Sequence, residues 1–480
     1  MNGPFILALD QGTSGCRAVA VDPSGHVYAL QNKELSPRRS AEGFSEYEAE
    51  ELWQTQQEVL HALLDQIGPQ SVAALAVCSQ RSTIVLWDKT TGKAVAPVLT
   101  WEDGRSQAQA ARAALSQAEV HAQTGLFKTP YFSAPKIAWC LENFPQAKQT
   151  AQAGNLLVAP VASYFIWKLT QGAVFATDPT LAQRTLLWNL HTGNWSEPLC
   201  RSFGVSASCL PVILPTLADY GTLLYNGVHI PIKVCVADQQ AALSYHQLAP
   251  AETTVNYGTG AFVLHHTGDT PAVLPGMLSS VAVKQEKFPP QFLLEGPIFA
   301  AGSVLQWLQA QGILPSGVDI DEVCRYSQHP VHFLPAFGGL GAPYWDYRVS
   351  PVIEGLSSRT RSSDFVAGAL QGIAHLVVDI TDYLQQNKYP IKKVQVSGGL
   401  TGSTYLLQMQ ASLLQMPIEV CSQTQSTVLG AALLAAQTCG WKVESWKPEY
   451  KRILPCFSQS ETQQWRQTWQ KLVARVRSVK

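Results

Sequence analysis

Two stretches of sequence, one in each half of the chain, share a pattern that decides the fold. Residues 6–22 read ILALDQGTSGCRAVAVD, and residues 253–268 read TTVNYGTGAFVLHHTG. Each is an apolar, β-branched run, a polar residue, a Gly-Thr turn and a second apolar run, which predicts a β-hairpin. Backbone N–H groups at such turns form concave sites for phosphate oxygens. The repeat therefore predicts two related halves that face each other across a nucleotide.

Length and charge exclude several classes of protein. A chain of 480 residues is too long for one core, so we expect two or three domains. No apolar run reaches the ~18 residues expected of a transmembrane helix, and the N-terminus has no basic region typical of a signal peptide. The net charge of -1, without a basic stripe before the last helix, predicts no nucleic-acid or membrane partner.

The ten cysteines are scattered, without a Cys-x-x-Cys pair or a Cys/His cluster. Most have apolar neighbours, as Cys78, Cys140 and Cys235 do. This pattern is typical of reduced core cysteines and predicts a cytoplasmic protein.

Strand and helix patterns alternate along the chain, which predicts α/β layers. In the first half we predict strands at 72–78, 83–87 and 232–236, and helices at 49–67, 106–121, 133–143, 157–169 and from 238 through 245. In the second half we predict a helix from 302, an irregular loop at 333–345, helices at 364–387, 403–415 and 426–438, strands at 394–396 and 418–420, and a C-terminal helix. Pro250 interrupts the pattern, so the predicted lobes are 1–248 and 249–480.

Phosphoryl transfer requires a phosphate cradle, a metal ligand and a base beside the acceptor hydroxyl. Asp10 ends the first predicted strand, next to the backbone amides and hydroxyls of residues 11–14. A plain hairpin with a capping Asp is the alternative interpretation, and the second Gly-Thr turn at 258–260 weakens it. A third glycine turn, at 397–399, stands between a strand and a helix, where backbone can approach a nucleotide. The chain has neither a Walker A loop nor a dinucleotide-binding fingerprint.

Asp238 follows the apolar strand IKVCVA and begins a helix. Its simplest interpretation is a helix N-cap. A carboxylate can cap a helix and also accept a proton, so the two interpretations do not exclude each other.

Longer segments resemble a known family. They are ALDQGTSGCRAV, WKLTQGAVFATDPTLAQRTLLWNLHTGNW, ADQQAAL, NYGTGAF, EGPIFAAGSVLQWL, PAFGGLGAPYWD and SGGLTGSTYLLQMQASLLQMPIEV. In order and without large gaps, from about residue 5 to about residue 440, the chain resembles the FGGY carbohydrate kinases and, among them, the glycerol kinases. The resemblance implies two actin-like lobes of the ribonuclease H type, with ATP in the cleft between them.

The resemblance also implies roles for individual residues. Asp238 would be the general base, and Asp10 would hold Mg²⁺ through water, with Asp238 nearby. The residues implied in nucleotide and phosphate binding are Thr13, Ser14, Arg17, Thr259, Gly302, Gln306, Gly398 and Gly399. Those implied in acceptor binding are Arg81, Ser82, Trp101, Asp103, Tyr131, Gln239 and Phe262, together with Asp238.

One departure from the family concerns the acceptor. Glycerol kinases hold the polyol with an Arg-Glu pair, and the position of that Glu is Ser82 here. Loss of a charged hydrogen bond costs about 1.5–3 kcal/mol, or roughly 10- to 150-fold in affinity. The sequence TWEDGRS resembles the Trp-x-Asp-x-Arg pattern of ketose kinases in the superfamily. Asp103 therefore either supplies the lost carboxylate or braces its loop with Arg105, and the sequence does not decide between them.

These observations predict an ATP- and Mg²⁺-dependent kinase that phosphorylates a terminal hydroxyl of a small polyol or sugar. Glycerol is the leading acceptor, and another polyol or a ketose is the alternative. A rival from another class is a non-catalytic ATP-binding protein of the actin or chaperone type, which needs both cradles but no base. A homodimer is an assembly that the resemblance allows.

Overall fold

The computed structural model describes residues 3–285, 288–423 and 425–478. The first half of the chain is built on a six-stranded sheet. In chain order its strands are β1 (Phe5–Gln11), β2 (Gly15–Val21), β3 (Val27–Glu34), β4 (Val72–Ser79), β5 (Thr222–Tyr225) and β6 (Val228–Ala237). Their spatial order is β5-β6-β4-β1-β2-β3. The β1–β2 and β2–β3 pairs are antiparallel, and β4 pairs in parallel with both β1 and β6.

A second sheet repeats this arrangement in the second half. Its strands are β7 (Glu252–Tyr257), β8 (Ala261–Gly268), β9 (Leu278–Val281), β10 (Phe292–Ile298), β11 (Lys393–Gly398), β12 (Ile418–Cys421) and β13 (Tyr450–Ile453). The spatial order is β9-β10-β8-β7-β11-β12-β13. The antiparallel hairpin β7–β8 lies beside the parallel pair β7–β11, as β1–β2 lies beside β1–β4. Two sheets with one core topology form the two predicted actin-like lobes.

Helices cover the sheets because both faces of the central strands are apolar. All seven residues of β1 are buried, and so are all seven of β10. The principal helices are α1 (Ala49–Ile67), α2 (Asp238–His246), α3 (Gly302–Ala310), α4 (Ser362–Gln386), α5 (Thr404–Leu414), α6 (Ser426–Thr438) and α7 (Gln459–Ser478). Helix α4 is long and apolar enough to cross a membrane by length and composition alone. Within its apolar stretch of 18 residues, 89% of the residues are buried inside the protein, as in a core helix.

Helices α2 and α6 join the two lobes. A Cβ added at Gly430 of α6 would lie 1.7 Å from the carbonyl oxygen of Ala241 in α2, so only glycine allows this contact. The side chains of α6, such as Val428, pack with Ile6 and Ala8 of β1 in one apolar cluster. A helix from the second half therefore completes the core of the first.

The remaining helices are Gln107–Arg112, Gln117–Thr124, Ser133–Asn143, Pro145–Gln152, Val161–Leu169, Pro179–Ala182, Glu197–Phe203 and Ile320–Arg325. The remaining strands are Arg38–Arg39, Ser45–Tyr47, Ile84–Asp88, Val98–Leu99, Leu156–Pro160, Ala176–Thr177, Val212–Ile213, His332–Leu334 and Val352–Glu354. The predicted boundary at 248/249 falls between α2 and β7 and stays a prediction.

Three sequence predictions were wrong in detail. The helix predicted at 106–121 is two helices, because Ser116 begins the second as a capping box with Glu119. The helix predicted at 157–169 starts with a strand that ends at Pro160. The loop predicted at 333–345 includes the end of a short strand, which Phe333 and Leu334 form with Val352 and Ile353.

The ten cysteines are all free, and eight of them are buried. Cys439 and Cys456 are the two exposed ones.

Candidate active site

Side-chain hydrogen bonds fix the tip of the first hairpin. The Thr13 hydroxyl donates to Gln80 Oε1 at 3.1 Å and accepts from Trp101 Nε1 at 2.9 Å. The Tyr47 hydroxyl donates to the Thr13 carbonyl oxygen. Ser14 is exposed at the tip. The predicted phosphate cradle is therefore connected directly to Trp101, a predicted acceptor-binding residue.

Two carboxylates lie close together at strand ends of the first sheet. Asp10 is 8% exposed and accepts a hydrogen bond from the Cys78 thiol at 3.2 Å. Burial and the charge of Asp238 together raise the pKa of Asp10 to about 6, although the hydrogen bond from Cys78 and the charge of Arg17 oppose this rise. Asp238 begins α2, and its Oδ1 accepts from the Gln239 amide at 2.7 Å. Burial also raises the pKa of Asp238, as expected for a group that accepts a proton near neutral pH.

A buried ion cluster connects the two lobes beside these carboxylates. Arg81, which follows β4, donates from both terminal nitrogens to the carboxylate of Glu295 in β10, at 3.0 and 3.1 Å. Arg184 and the Ser280 hydroxyl also donate to Glu295 Oε2. Arg81, Arg184 and Glu295 are at most 3% exposed. Burial alone would raise the pKa of Glu295, but Arg184 and Arg81 lower it to about 2.

Ser82 adopts a left-handed backbone conformation, with φ of 63°. Its carbonyl oxygen accepts from the Ser133 hydroxyl at 3.2 Å, and its own hydroxyl is buried without a hydrogen-bond partner. The carboxylate that pairs with Arg81 is therefore Glu295, which comes from the opposite lobe. Direct contact between Ser82 and an acceptor stays a prediction.

Asp103 is occupied within its own loop. Its carboxylate accepts from the Ser45 amide at 2.7 Å and from Arg105 Nε at 2.9 Å. Arg105 also forms an ion pair with Glu46 at 2.6 Å. These contacts favour the bracing role over a role as replacement carboxylate, while acceptor binding by Asp103 stays a prediction.

A cavity of about 270 Å³ lies between the lobes. Four residues of its wall were predicted from the sequence as site residues, namely Trp101, Tyr131, Thr259 and Phe262. The rings of Trp101 and Tyr131 are 5.6 Å apart, and Glu295 also lines the cavity. Gln239 follows Asp238, and its Oε1 is buried without a hydrogen-bond partner. Acceptor binding in this cavity stays a prediction.

Three segments that contain glycine meet at the end of β7, namely the turn at 258–260, the start of α3 and the turn at 397–399. Gly258 donates to the Gly260 carbonyl oxygen at 2.8 Å, and Gly302 donates to the Gly258 carbonyl oxygen at 2.9 Å. Gly398 pairs with Tyr257 across the parallel ladder, and a Cβ there would lie 2.2 Å from the Tyr257 carbonyl oxygen. The close approach of three backbone segments explains why glycine occupies these positions.

The other predicted nucleotide-binding residues lie around this junction. Thr259 is exposed at the hairpin tip, and its carbonyl oxygen accepts from the amides of Ala301 and Ser303 at the start of α3. Gln306 is exposed on α3, and a side chain at Gly399 would meet open space. Backbone groups on an open face suit the approach of a nucleotide.

The donor set suits Mg²⁺ bound to a nucleotide rather than a closed metal cage. Mg²⁺ usually takes one or two carboxylates, with water and substrate phosphates as its other ligands. Asp10, which is buried, and Asp238, which is half-buried, supply two carboxylates whose repulsion a cation would relieve. Among the described residues, no group of three or more His, Cys, Asp or Glu side chains is placed to hold a metal.

Two members of the buried ion cluster, Arg184 and Glu295, lie in segments that carried the family resemblance but received no individual role from the sequence. The sequence FLLEGPI could have singled out Glu295, because a carboxylate within an otherwise apolar, buried strand needs a buried partner. Lys136 was also missed. Its ammonium donates to the Tyr131 carbonyl oxygen at 2.6 Å, and burial lowers its pKa to about 7.

Family models match most of the chain. The N-terminal domain of the FGGY family of carbohydrate kinases matches residues 5–244, and the C-terminal domain matches residues 253–439. Glycerol kinase from Shewanella frigidimarina is 36% identical over 450 residues, which cover 91% of this chain and 90% of that protein. Glycerol kinase from Koribacter versatilis is 34% identical, covering 99% of both chains.

Solved structures agree with this assignment. The Plasmodium falciparum glycerol kinase with ADP superposes with a TM-score of 0.93 at 26% identity, covering 98% of both chains. Xylulose kinase from Lactobacillus acidophilus shares the fold, with a TM-score of 0.86 at 20% identity over 99% of both chains. Together with the two lobes and the cleft between them, these similarities show that the chain belongs to the FGGY family of carbohydrate kinases and is an ATP-dependent phosphotransferase with an alcohol group as acceptor.

Proposed function

We propose that this protein transfers the γ-phosphoryl group of ATP to a terminal hydroxyl of a small polyol or sugar, with glycerol as the leading acceptor. The observation that carries the proposal is Asp238, a half-buried carboxylate at the start of α2 whose pKa is raised by its surroundings. It lies beside Asp10 and the Arg81–Glu295 ion pair. A non-catalytic ATP-binding protein would not need such a group.

The chain's own residues divide the reaction between them. Asp238 accepts the proton of the acceptor hydroxyl while the oxygen of that hydroxyl bonds to the γ-phosphorus. The bond between the γ-phosphorus and the oxygen that bridges it to the β-phosphate breaks, and ADP leaves. Trp101, Tyr131 and Phe262 orient the acceptor, and Thr13 and Thr259 face the phosphates from opposite lobes. Positioning and charge stabilisation account for most of the rate in such reactions.

Mg²⁺ is the metal we assign to Asp10 and Asp238, where it would offset the negative charge that develops on the phosphates. The free cysteines and the family membership favour a cytoplasmic enzyme.

The test is a coupled ADP-release screen of the purified chain across glycerol, larger polyols and ketoses, with ³¹P NMR to identify the phosphate ester. We expect ADP release that depends on both the acceptor and Mg²⁺. Acceptor-independent ATP turnover, unchanged by any polyol or ketose, would favour the ATP-binding rival instead.

A further inference from the structure

The cavity between the lobes extends well beyond the residues assigned to a small polyol. Its volume is about 270 Å³, whereas one water molecule takes about 30 Å³ of liquid volume. Trp101, Tyr131 and Phe262 form one end. Thr259 and Gly260 of the second hairpin turn, together with Glu295, also line the cavity. An apolar part of the wall is formed by Phe127, Leu278, Pro297, Phe299 and Trp345. A triol as small as glycerol would leave most of this apolar surface uncovered.

The far wall is rigid and aromatic. Phe127 and Trp345 meet edge to face with centroids 4.5 Å apart, and Phe299 lies 6.1 Å from Trp345. Trp345 Nε1 donates to the Gly276 carbonyl oxygen at 2.7 Å, and Phe127 stacks on His121 at 4.6 Å. Rings held in this way form a preorganised apolar pocket, which binds alkyl and aryl groups with little ordering cost.

Arg81 and Glu295 are already engaged with each other. Arg81 donates hydrogen bonds from both terminal nitrogens to the carboxylate of Glu295. Glu295 Oε2 accepts from Arg81, Arg184 and Ser280 together. Position 82, which carries a carboxylate in glycerol kinases, carries a serine here. The Ser82 hydroxyl, Gln239 Oε1 and Arg184 Nη1 are buried without a hydrogen-bond partner, but these three residues do not line the cavity. Along the wall formed by Phe127, Phe299 and Trp345, an acceptor therefore meets apolar rings.

We propose that the preferred acceptor is a vicinal diol whose far end carries an apolar, phenyl-sized substituent. This inference rests on the proposed kinase function and narrows its acceptor class, because it puts a substituted diol in the place of glycerol as the preferred acceptor. The diol end lies at Asp238, which takes the proton of the terminal hydroxyl as that oxygen bonds to the γ-phosphorus and ADP leaves. The substituent fills the space between Phe127, Phe299 and Trp345.

The experiment compares kcat/KM for glycerol, 3-methoxypropane-1,2-diol and 3-phenoxypropane-1,2-diol by ADP release. One methylene in a formed apolar pocket changes kcat/KM by about 10- to 200-fold. We therefore expect the phenoxy diol to exceed glycerol by about tenfold or more, chiefly through a lower KM, with the methoxy diol between them. Quenching of tryptophan fluorescence by the phenoxy diol without ATP gives an independent measure of binding.

Phe127→Asn places an amide in the apolar wall and should remove most of the preference for the phenoxy diol. Phe144→Asn is the matched control, because Phe144 packs against the same apolar cluster without lining the cavity. We expect it to keep the preference of the parent.

If the parent enzyme uses glycerol as well as or better than both ethers, the inference is overturned and the proposed function stands. A phenoxy preference that Phe127→Asn leaves intact would also overturn the assigned pocket. If no alcohol in the series increases ADP release, the proposed function fails and the inference falls with it.

Discussion

The two lobes repeat one backbone topology but carry different chemistry at equivalent strand ends. β1 carries Asp10 before its Gly-Thr turn, and β7 carries Asn256 at the matching position. The first lobe begins the helix after its outer parallel strand with Asp238, whereas the second begins the matching helix with Ser426. Both carboxylates thus belong to one lobe. In the proposed mechanism, the first lobe therefore handles the proton and the metal, and the second offers neutral groups to the nucleotide.

The hairpin tips also differ in how they are held. The first turn spans residues 12–15 and is fixed by side chains, including Trp101 on Thr13. The second spans residues 258–260 and is fixed by backbone amides of α3, such as Gly302 on Gly258. The predicted acceptor residue Trp101 thus contacts the first tip directly, although the Leu35 amide also donates to the Ser14 carbonyl oxygen there at 3.1 Å.

The largest effect should come from Asp238→Asn, which makes the start of α2 neutral like that of α6. General-base assistance contributes about 10²- to 10⁴-fold, so kcat should fall by that factor. ADP release measures the rate, and titration with a fluorescent ATP analogue should show that nucleotide binding is kept. A variant within threefold of the parent kcat would remove Asp238 from this role.

Glu295→Gln removes the one carboxylate that the second lobe supplies to the buried cluster. Arg81 and Arg184 would then be left without a counter-charge, and breaking a buried pair typically costs about 3–5 kcal/mol. Urea unfolding should show this loss, and small-angle scattering should show a larger radius of gyration.

Glu354→Gln is the control for Glu295→Gln, because its ion pair with Arg475 is exposed and such pairs contribute about 0–1 kcal/mol. Equal losses for the two variants would contradict a special role for the buried cluster.

Asp10→Asn gives the first hairpin the residue type of the second. Loss of a carboxylate that holds a metal through water usually lowers metal affinity by about 10- to 100-fold. The Mg²⁺ concentration for half-maximal rate should therefore rise by about that factor. The reciprocal change, Asn256→Asp, adds a carboxylate near the nucleotide phosphates and should raise the KM for ATP without improving Mg²⁺ use. An unchanged Mg²⁺ requirement in Asp10→Asn would argue against the assignment.

Much of the fold could be predicted because its signals are local. The apolar runs around the two Gly-Thr turns, and helices such as 49–67 and 426–438, agree with the structure because periodicity and turn chemistry act over a few residues. The strand at 156–160 was missed because its apolar run continues into the following helix, so periodicity could not separate them. The break at Ser116 depended on a capping box within a polar stretch.

The ion cluster of the site could not be predicted, because it depends on contacts distant in sequence. Arg81 and Glu295 are 214 residues apart, and only the approach of two sheet edges brings them together. Nothing in the local sequence says that the missing carboxylate at position 82 has a counterpart in the other lobe. The predicted residues Trp101, Tyr131 and Phe262 do line one cavity. They could be predicted because each was identified through a motif that resembles the family.

Ser82→Glu tests whether the carboxylate from the second lobe is an adequate substitute for one in the first. A charged hydrogen bond contributes about 1.5–3 kcal/mol, and Glu295 already pairs with Arg81, so we expect the lower limit, about a tenfold fall in the KM for glycerol. Asp103 should not oppose the change, because Arg105 holds it. Ser82→Gln is the control of equal size without charge. Equal KM values in the Glu and Gln variants would contradict a role for the charge.

The smallest effect concerns a neutral contact between the lobes. His246 ends α2, and its Nδ1 lies 3.0 Å from the hydroxyl of Tyr450 in β13. Burial lowers the pKa of His246 from 6.5 to about 4. The unfolded chain therefore takes up a proton from pH 6.5 downward, while the folded protein takes it up only near pH 4. The stability that this neutral His provides is complete above pH 6.5 and is lost as the pH falls, by about 2 kcal/mol at pH 5.

Urea unfolding at pH 7 and pH 5 measures this loss. In His246→Gln, which cannot take up the proton in either state, the free energy of unfolding should decrease by about 2 kcal/mol less than in the parent over this interval. His229→Gln, at an exposed position, should follow the parent. Parallel pH profiles for the parent and His246→Gln would mean that the pKa of His246 is the same in the folded and the unfolded chain. The charged contact at Glu295 would then be the pH-sensitive connection between the lobes, and its loss should begin only below pH 4.5, since the pKa of Glu295 falls from 4.5 to about 2 on folding.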